Sequence, residues 1–312
     1  MVSLLILVAG QVFTLFLLMA VGFFFTKREI FTADTRSRMS TLLLYVVTPC
    51  VVIHSLTQTE CTPELTRSVV LTLGASVAFY VVFALLTAPL FRKQAADTRD
   101  PLRFGSLYGN VGFMGLPLIQ GVLGTEALIY CTVGVAIFNI GTWTHGLILM
   151  GGKSNASLKK AILNPGVIGC IIGFVLFFTG LRLPSPIAAG VQHLGNMNTP
   201  LAMLVIGGQM ASVKLLETFR RPLLYRVSAI KLLVLPLLTA FLILPFGLNA
   251  SAYSTVVILA GCPIAGITGI FAQSFRRDAA TTAQSITLST LLSILTLPVV
   301  TLYAHAVYLW LG

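Results

Sequence analysis

The sequence predicts an all-α membrane protein of ten transmembrane helices, built as two inverted five-helix repeats with broken, crossing helices 4 and 9. Three observations lead there. Hydrophobic residues make up 56% of the 312 residues and charged residues only 9%, with mean hydropathy +0.95. Such a chain must place most of its length in lipid. Ten apolar stretches each approach the roughly 20 residues that cross a hydrocarbon core of about 30 Å. Two of the stretches are interrupted by glycine and proline at matching places in the two halves. They are Tyr108-Gly109-Asn110-Val111-Gly112-Phe113-Met114-Gly115-Leu116-Pro117 and Gly261-Cys262-Pro263-Ile264-Ala265-Gly266-Ile267-Thr268-Gly269.

Span 1 covers about residues 3–25. It has no basic segment before it and carries Lys27 and Arg28 after it, so it reads as a retained helix rather than a signal peptide. Span 2 (about 38–57) holds Thr48-Pro49 near its middle, and span 3 (about 67–90) is uninterrupted. Span 4 (about 102–123) carries the first break, and span 5 (about 126–150) contains Asn139 and His145. A short linker, 153–160, separates a first repeat, 1–152, from a second, 161–312. Span 6 (about 161–180) carries Gly169-x-x-x-Gly173, a spacing that permits close helix packing, between subunits as one option. Span 7 (about 187–211) holds Thr199-Pro200, span 8 (about 226–246) holds Lys231, span 9 (about 252–274) is the second broken one, and span 10 covers about 280–310.

The halves share landmarks at a nearly constant separation. Asn110 and Thr48-Pro49 lie 151 residues before Gly261 and Thr199-Pro200. Phe25-Thr26 precedes Phe178-Thr179 by 153, and Glu126-Ala127 precedes Asp278-Ala279 by 152. Each half holds five spans, an odd number, so the second half starts from the opposite side. That is an inverted-topology repeat.

Lys and Arg set the orientation. The loops after spans 1, 3, 5, 7 and 9 hold 17 of the 20 basic residues. Those loops are therefore expected in the cytoplasm and both termini outside, in a plasma (inner) membrane. This clustering between apolar runs also argues against nucleic acid as the partner of a chain with net charge +11. Five cysteines, four within spans, read as packing residues rather than a disulfide framework. No Cys/His spacing suits a metal, no phosphate loop is present, and no serine has plausible base partners, so no cofactor, metal or catalytic site is expected.

The breaks carry the site. An unpaired backbone group in hydrocarbon costs several kcal/mol, so irregular backbone there must be buried or line a cavity. A helix broken at mid-membrane offers a half-helix N-terminus with free N–H groups and partial positive charge, which favours an anion. Nearby side chains are neutral: Tyr108, Asn110, Cys262 and Thr268, with Gly112, Pro117 and Pro263 shaping the interruptions. Asn110 both donates and accepts. Asn139 and Gln209 are secondary candidates, with helix–helix hydrogen bonding as the plainer role. Lys231 lies five residues past Arg226, so it either snorkels to the interface or pairs with an organic anion. The prolines of Thr48-Pro49 and Thr199-Pro200 free carbonyls, either as simple kinks or as supports that shape the cavity. All nine acidic residues fall in loops or at span ends, which argues against carboxylate-based cation antiport.

Asn110 to Leu118 in span 4, Gly261 to Phe275 in span 9 and Lys231-Leu232-Leu233-Val234-Leu235-Pro236 in span 8 resemble the auxin efflux carrier family. The resemblance runs through essentially the whole chain. The short linker is similar to that of the compact bacterial members called malate or malonate permeases, rather than to the plant carriers with a long central loop. It implies crossing helices 4 and 9 with the substrate beside them, Asn110 as a substrate contact, a homodimer, and transport of a small organic anion by alternating access. A sodium-coupled symporter of the bile-acid type, motivated by the Thr-Pro kinks and Thr268, is the alternative.

Overall fold

The computed structural model describes residues 2–152, 159 and 162–311; apart from Lys159, the expected linker lies outside the described residues. Among them the fold is helical, and its one β-type pairing is an isolated antiparallel bridge between Gly109 and Ile264. The helices are α1 (Val2–Lys27), α2 (Ala33–Thr57), α3 (Pro63–Thr87), α4 (Ala96–Leu107), α5 (Val111–Leu123), α6 (Thr125–Gly151), α7 (Pro165–Thr179), α8 (Ser185–Asn196), α9 (Asn198–Ala211), α10 (Leu215–Phe219), α11 (Pro222–Phe246), α12 (Ala250–Ala260), α13 (Ile267–Ser274) and α14 (Ala279–Leu311). Six of these, α1, α2, α3, α6, α11 and α14, are long and apolar enough to cross a bilayer. Shorter apolar helices include α5, α7 and α12.

The starts follow capping chemistry. Thr62 accepts from the Leu65 amide ahead of Pro63, Asn164 accepts from the Gly166 amide ahead of Pro165, and Asn249 accepts from the Ala252 amide. A polar Ncap relieves orphan N–H groups, and proline at the first position gives up a donor that had no partner. Prolines inside the helices act differently. The π-type turns at Leu43–Val47, Val111–Gly115 and Ile230–Val234 each end two residues before a proline: Pro49, Pro117 and Pro236. The proline ring clashes with the carbonyl one turn back, and widening that turn accommodates it. Near Pro200 the helix instead breaks at Met197, between α8 and α9.

Glycines set the closest packing. Gly22 of α1 lies against the backbone of Leu204, and Gly207 of α9 against that of Met19, so α1 and α9 meet at backbone contact. Gly169 and Gly173 of α7 face Pro49, Ile53 and Leu56 of α2. Their small-residue spacing thus serves packing within the chain. These four helices with α8 form one packed group, and α3 to α6 pack with α11 to α14 in a second.

Candidate functional site

Both interruptions occur where the sequence breaks its apolar runs, and they meet. α4 ends at Leu107, Tyr108 to Asn110 run non-helically, and α5 restarts at Val111 with Asn110 as its cap. Opposite, α12 ends at Ala260 and α13 restarts at Ile267. The Asn110 amide donates to the Pro263 carbonyl at 2.7 Å, and the Ala265 amide donates to the Tyr108 carbonyl at 3.1 Å. The Ile264 amide donates to the Ser289 hydroxyl at 3.1 Å. Much of the backbone freed by the breaks is therefore satisfied across the crossing, as buried polar groups require. Gly109 is needed here. A Cβ on it would lie 2.8 Å from the Lys231 ammonium and 2.9 Å from the Cys262 carbonyl.

Beside the crossing lies a cavity of about 230 Å³. One wall comes from α2, α7 and α9, the other from α5, α6 and the start of α13. Its polar lining is neutral: Asn110, Asn139, Asn164, Gln209 and Thr48, with Ser37, Ser40, Thr41 and Tyr45 along α2. Phe113, Val135, Phe138, Ile206, Ile267 and Ile270 supply apolar surface. No Asp, Glu, Lys, Arg or His lines it among the described residues.

Three helix N-termini open onto this cavity. Asn110 and Gly112 begin α5, Gly266 and Ile267 begin α13, and Asn164 and Gly166 begin α7. The amides of Gly112, Gly266 and Ile267 have no hydrogen-bond partner among the described residues. Asn110 Oδ1 accepts from the Phe113 amide at 3.3 Å. Asn139 lines the cavity while its side-chain amide donates to the Val135 carbonyl at 2.9 Å. Converging N–H groups and half-helix dipoles, with no competing acid, suit a small anion.

Of the residues singled out in the sequence, Asn110, Gly112, Asn139, Gln209 and Thr48 come together at this cavity. The others lie elsewhere. Tyr108 is buried in an aromatic stack with Tyr80 and Phe104; its hydroxyl donates to the Gly141 carbonyl at 2.9 Å and sits 3.0 Å from His145 Nδ1. Cys262, Pro263, Pro117 and Thr268 are buried without lining the cavity, and the Thr268 hydroxyl has no hydrogen-bond partner among the described residues. Pro49 packs on Gly169, and Pro200 is part of α9. Lys231, 1% exposed, neither snorkels nor lines the cavity. Asn164 escaped the sequence reading, although Asn164-Pro165 is a helix-start signal.

A second cavity of about 400 Å³ lies between α2, α8 and α9 on one side and α5 and α6 on the other. Thr199 lines it, with His54, Gln120, Gln192, Asn196 and Asn198. Thr48 of the first cavity and Asn198 of the second are joined by a 3.5 Å hydrogen bond.

The chain matches the family described as membrane transport protein over residues 7–159 and again over 154–301. A Rhizobium meliloti protein named "Putative malonate transporter" is 24% identical over 308 residues, covering 93% of each chain. An uncharacterized transporter of Methanocaldococcus jannaschii is 25% identical over 203 residues, 61% of this chain and 65% of its own length. An uncharacterized transporter of Escherichia coli is 23% identical over 304 residues, 93% of this chain and 95% of its own. This chain is a multi-pass membrane protein and belongs to that family of membrane transport proteins, the auxin efflux carrier family its sequence resembles.

Proposed function

We propose that the protein is a secondary transporter or facilitator of a small organic anion, a carboxylate, working by alternating access at the crossing. The observation that carries this reading is the neutral cavity onto which three helix N-termini open. A carboxylate there receives N–H donors from the Gly112 and Gly266 backbone and the Asn110 side-chain amide, with Asn139, Asn164 and Gln209 completing the shell and Thr48 shaping the wall. The Rhizobium meliloti relative's name makes malonate the first substrate to try.

The reading includes ten spans in two inverted repeats, residues 1–152 and 161–312, with both termini outside and the protein in the plasma (inner) membrane as a homodimer. Two features of packing support the repeat. α1 packs on α9 and α7 packs on α2, pairings that exchange under the 151-residue relation. Thr41, Tyr45 and Thr48 of the first cavity correspond to Gln192, Asn196 and Thr199 of the second. In this reading the cavities are the inner and outer approaches, and the group holding the breaks moves against the group holding α1, α2 and α7. The unpartnered Thr268 hydroxyl favours a second reading, sodium-coupled symport, in which it helps hold the ion. A ligand that binds only the folded protein must stabilise it. Malonate and malate should raise the unfolding temperature in detergent, and malonamide should not. Equal stabilisation by the diamide removes the anion reading, and a shift that needs sodium selects the symport reading.

A further inference from the structure

Lys231 is a charged side chain placed where no carboxylate answers it. Its ammonium donates to the Ala260 carbonyl at 2.7 Å and lies 6.0 Å from the centre of the Phe79 ring. Its exposure is 1%, and it forms no ion pair with any described acid. Ala260 is the last residue of α12, and the Ile264 amide that would continue the helix is bonded to Ser289 instead. The ammonium therefore caps the negative, C-terminal end of the broken helix. That end would otherwise face the crossing with an orphan carbonyl and about half an elementary negative charge.

The site leaves no room for a ligand on the ammonium. The neighbouring void, lined by Ser76, Phe79, Tyr80 and Ala260, measures about 20 Å³. That is room for one water. Gly109 closes the other side, with Lys231 packed into the space its missing Cβ leaves. The repeat relation is instructive: Lys231 stands 151 residues after Tyr80, so the two halves place an ammonium and a phenol at corresponding positions beside the crossing.

We propose that Lys231 is the charge that makes the crossing anion-selective without touching the anion. It neutralises the C-terminal pole of α12, so of the two C-terminal poles at the crossing only that of α4 is left against the N-terminal poles of α5 and α13. The assignment rests on the transport reading for its purpose, but its electrostatic content is measurable without any substrate. In a background with the native cysteines replaced, a single Thr41→Cys reports from the cavity wall. Its reaction rates with anionic 2-sulfonatoethyl and cationic 2-trimethylammonioethyl methanethiosulfonate give a charge-selectivity ratio.

With Lys231 present the ratio should favour the anionic reagent. It should fall severalfold in Lys231→Gln, which retains a donor for Ala260 but no charge, and in Lys231→Met. It should be kept in Lys231→Arg, and gel filtration identifies any variant that fails to fold. A ratio unchanged in a folded Lys231→Gln or Lys231→Met overturns the assignment, as does a fall in Lys231→Arg equal to that in Lys231→Gln. Failure of every carboxylate to bind wild-type protein would instead sink the transport reading and leave this ratio standing.

Discussion

At the scale of single residues, the crossing depends on what is missing as much as on what is present. Gly109 lets the Lys231 ammonium and the Cys262 carbonyl approach within 3 Å of where a side chain would begin. Gly109→Ala should destabilise the protein by about 1–3 kcal/mol, the usual cost of overpacking. Thermal unfolding in detergent measures it, and Gly112→Ala, which meets nothing within 4 Å, is the matched control. Asn110 was legible in the sequence because a polar residue inside an interrupted apolar run demands a partner. Lys231 was not. Its spacing from Arg226 fits a snorkelling chain, whereas the π-type turn at Ile230–Val234 belongs to a stretch whose Lys231 and Leu232 face inward. Tyr108 lies away from the cavity for a related reason. Asn110, two residues on, lines the cavity, but the non-helical stretch turns the Tyr108 ring into the stack with Tyr80.

At the scale of elements, caps and small residues decide where helices start and how near they lie. α14 begins after Asp278, which accepts from the Thr281 amide at 2.9 Å and from the Thr98 hydroxyl at 3.0 Å. Burial alone would raise the Asp278 carboxyl; hydrogen bonds from Thr281 and Thr98 and the charge of Arg221 outweigh it and hold it below the usual range. Such a group stabilises the fold above its unfolded value, about 3.9, and loses that stabilisation as pH falls through the lower folded value. Asp278→Ala should cost about 1 kcal/mol at neutral pH as a lost cap. The difference from wild type should shrink in acid; a gap that stays constant down to pH 2 contradicts this account. The same aspartate sits in a network in which Arg277 reaches Asp97 at 3.1 Å and the Met150 carbonyl at 2.9 Å, so it ties α4, α6 and α14 together. Gly169 and Gly173 were legible as a close-packing surface, but only the fold assigns them to α2, because small-residue spacing does not name its partner.

At the scale of the whole molecule, composition and the two matched breaks made the helical membrane class readable, since hydropathy sees both directly. What hydropathy cannot see is the pairing of Asn110 with Pro263 and of Ala265 with Tyr108, which depends on two segments far apart in the chain meeting face to face. Nor does it see that Asn164 at the head of α7 joins Asn110 and Asn139 around one cavity. The central claim is that a carboxylate crosses the membrane through that cavity. The direct measurement is uptake of labelled malonate, malate and indole-3-acetate into proteoliposomes of wild type and Asn110→Ala, with folding checked by gel filtration. The account predicts saturable uptake of at least one of these acids, reduced about tenfold or more by loss of the Asn110 side-chain amide, the scale of a hydrogen bond to a charged group. Uptake by a folded Asn110→Ala protein equal to wild type would contradict it.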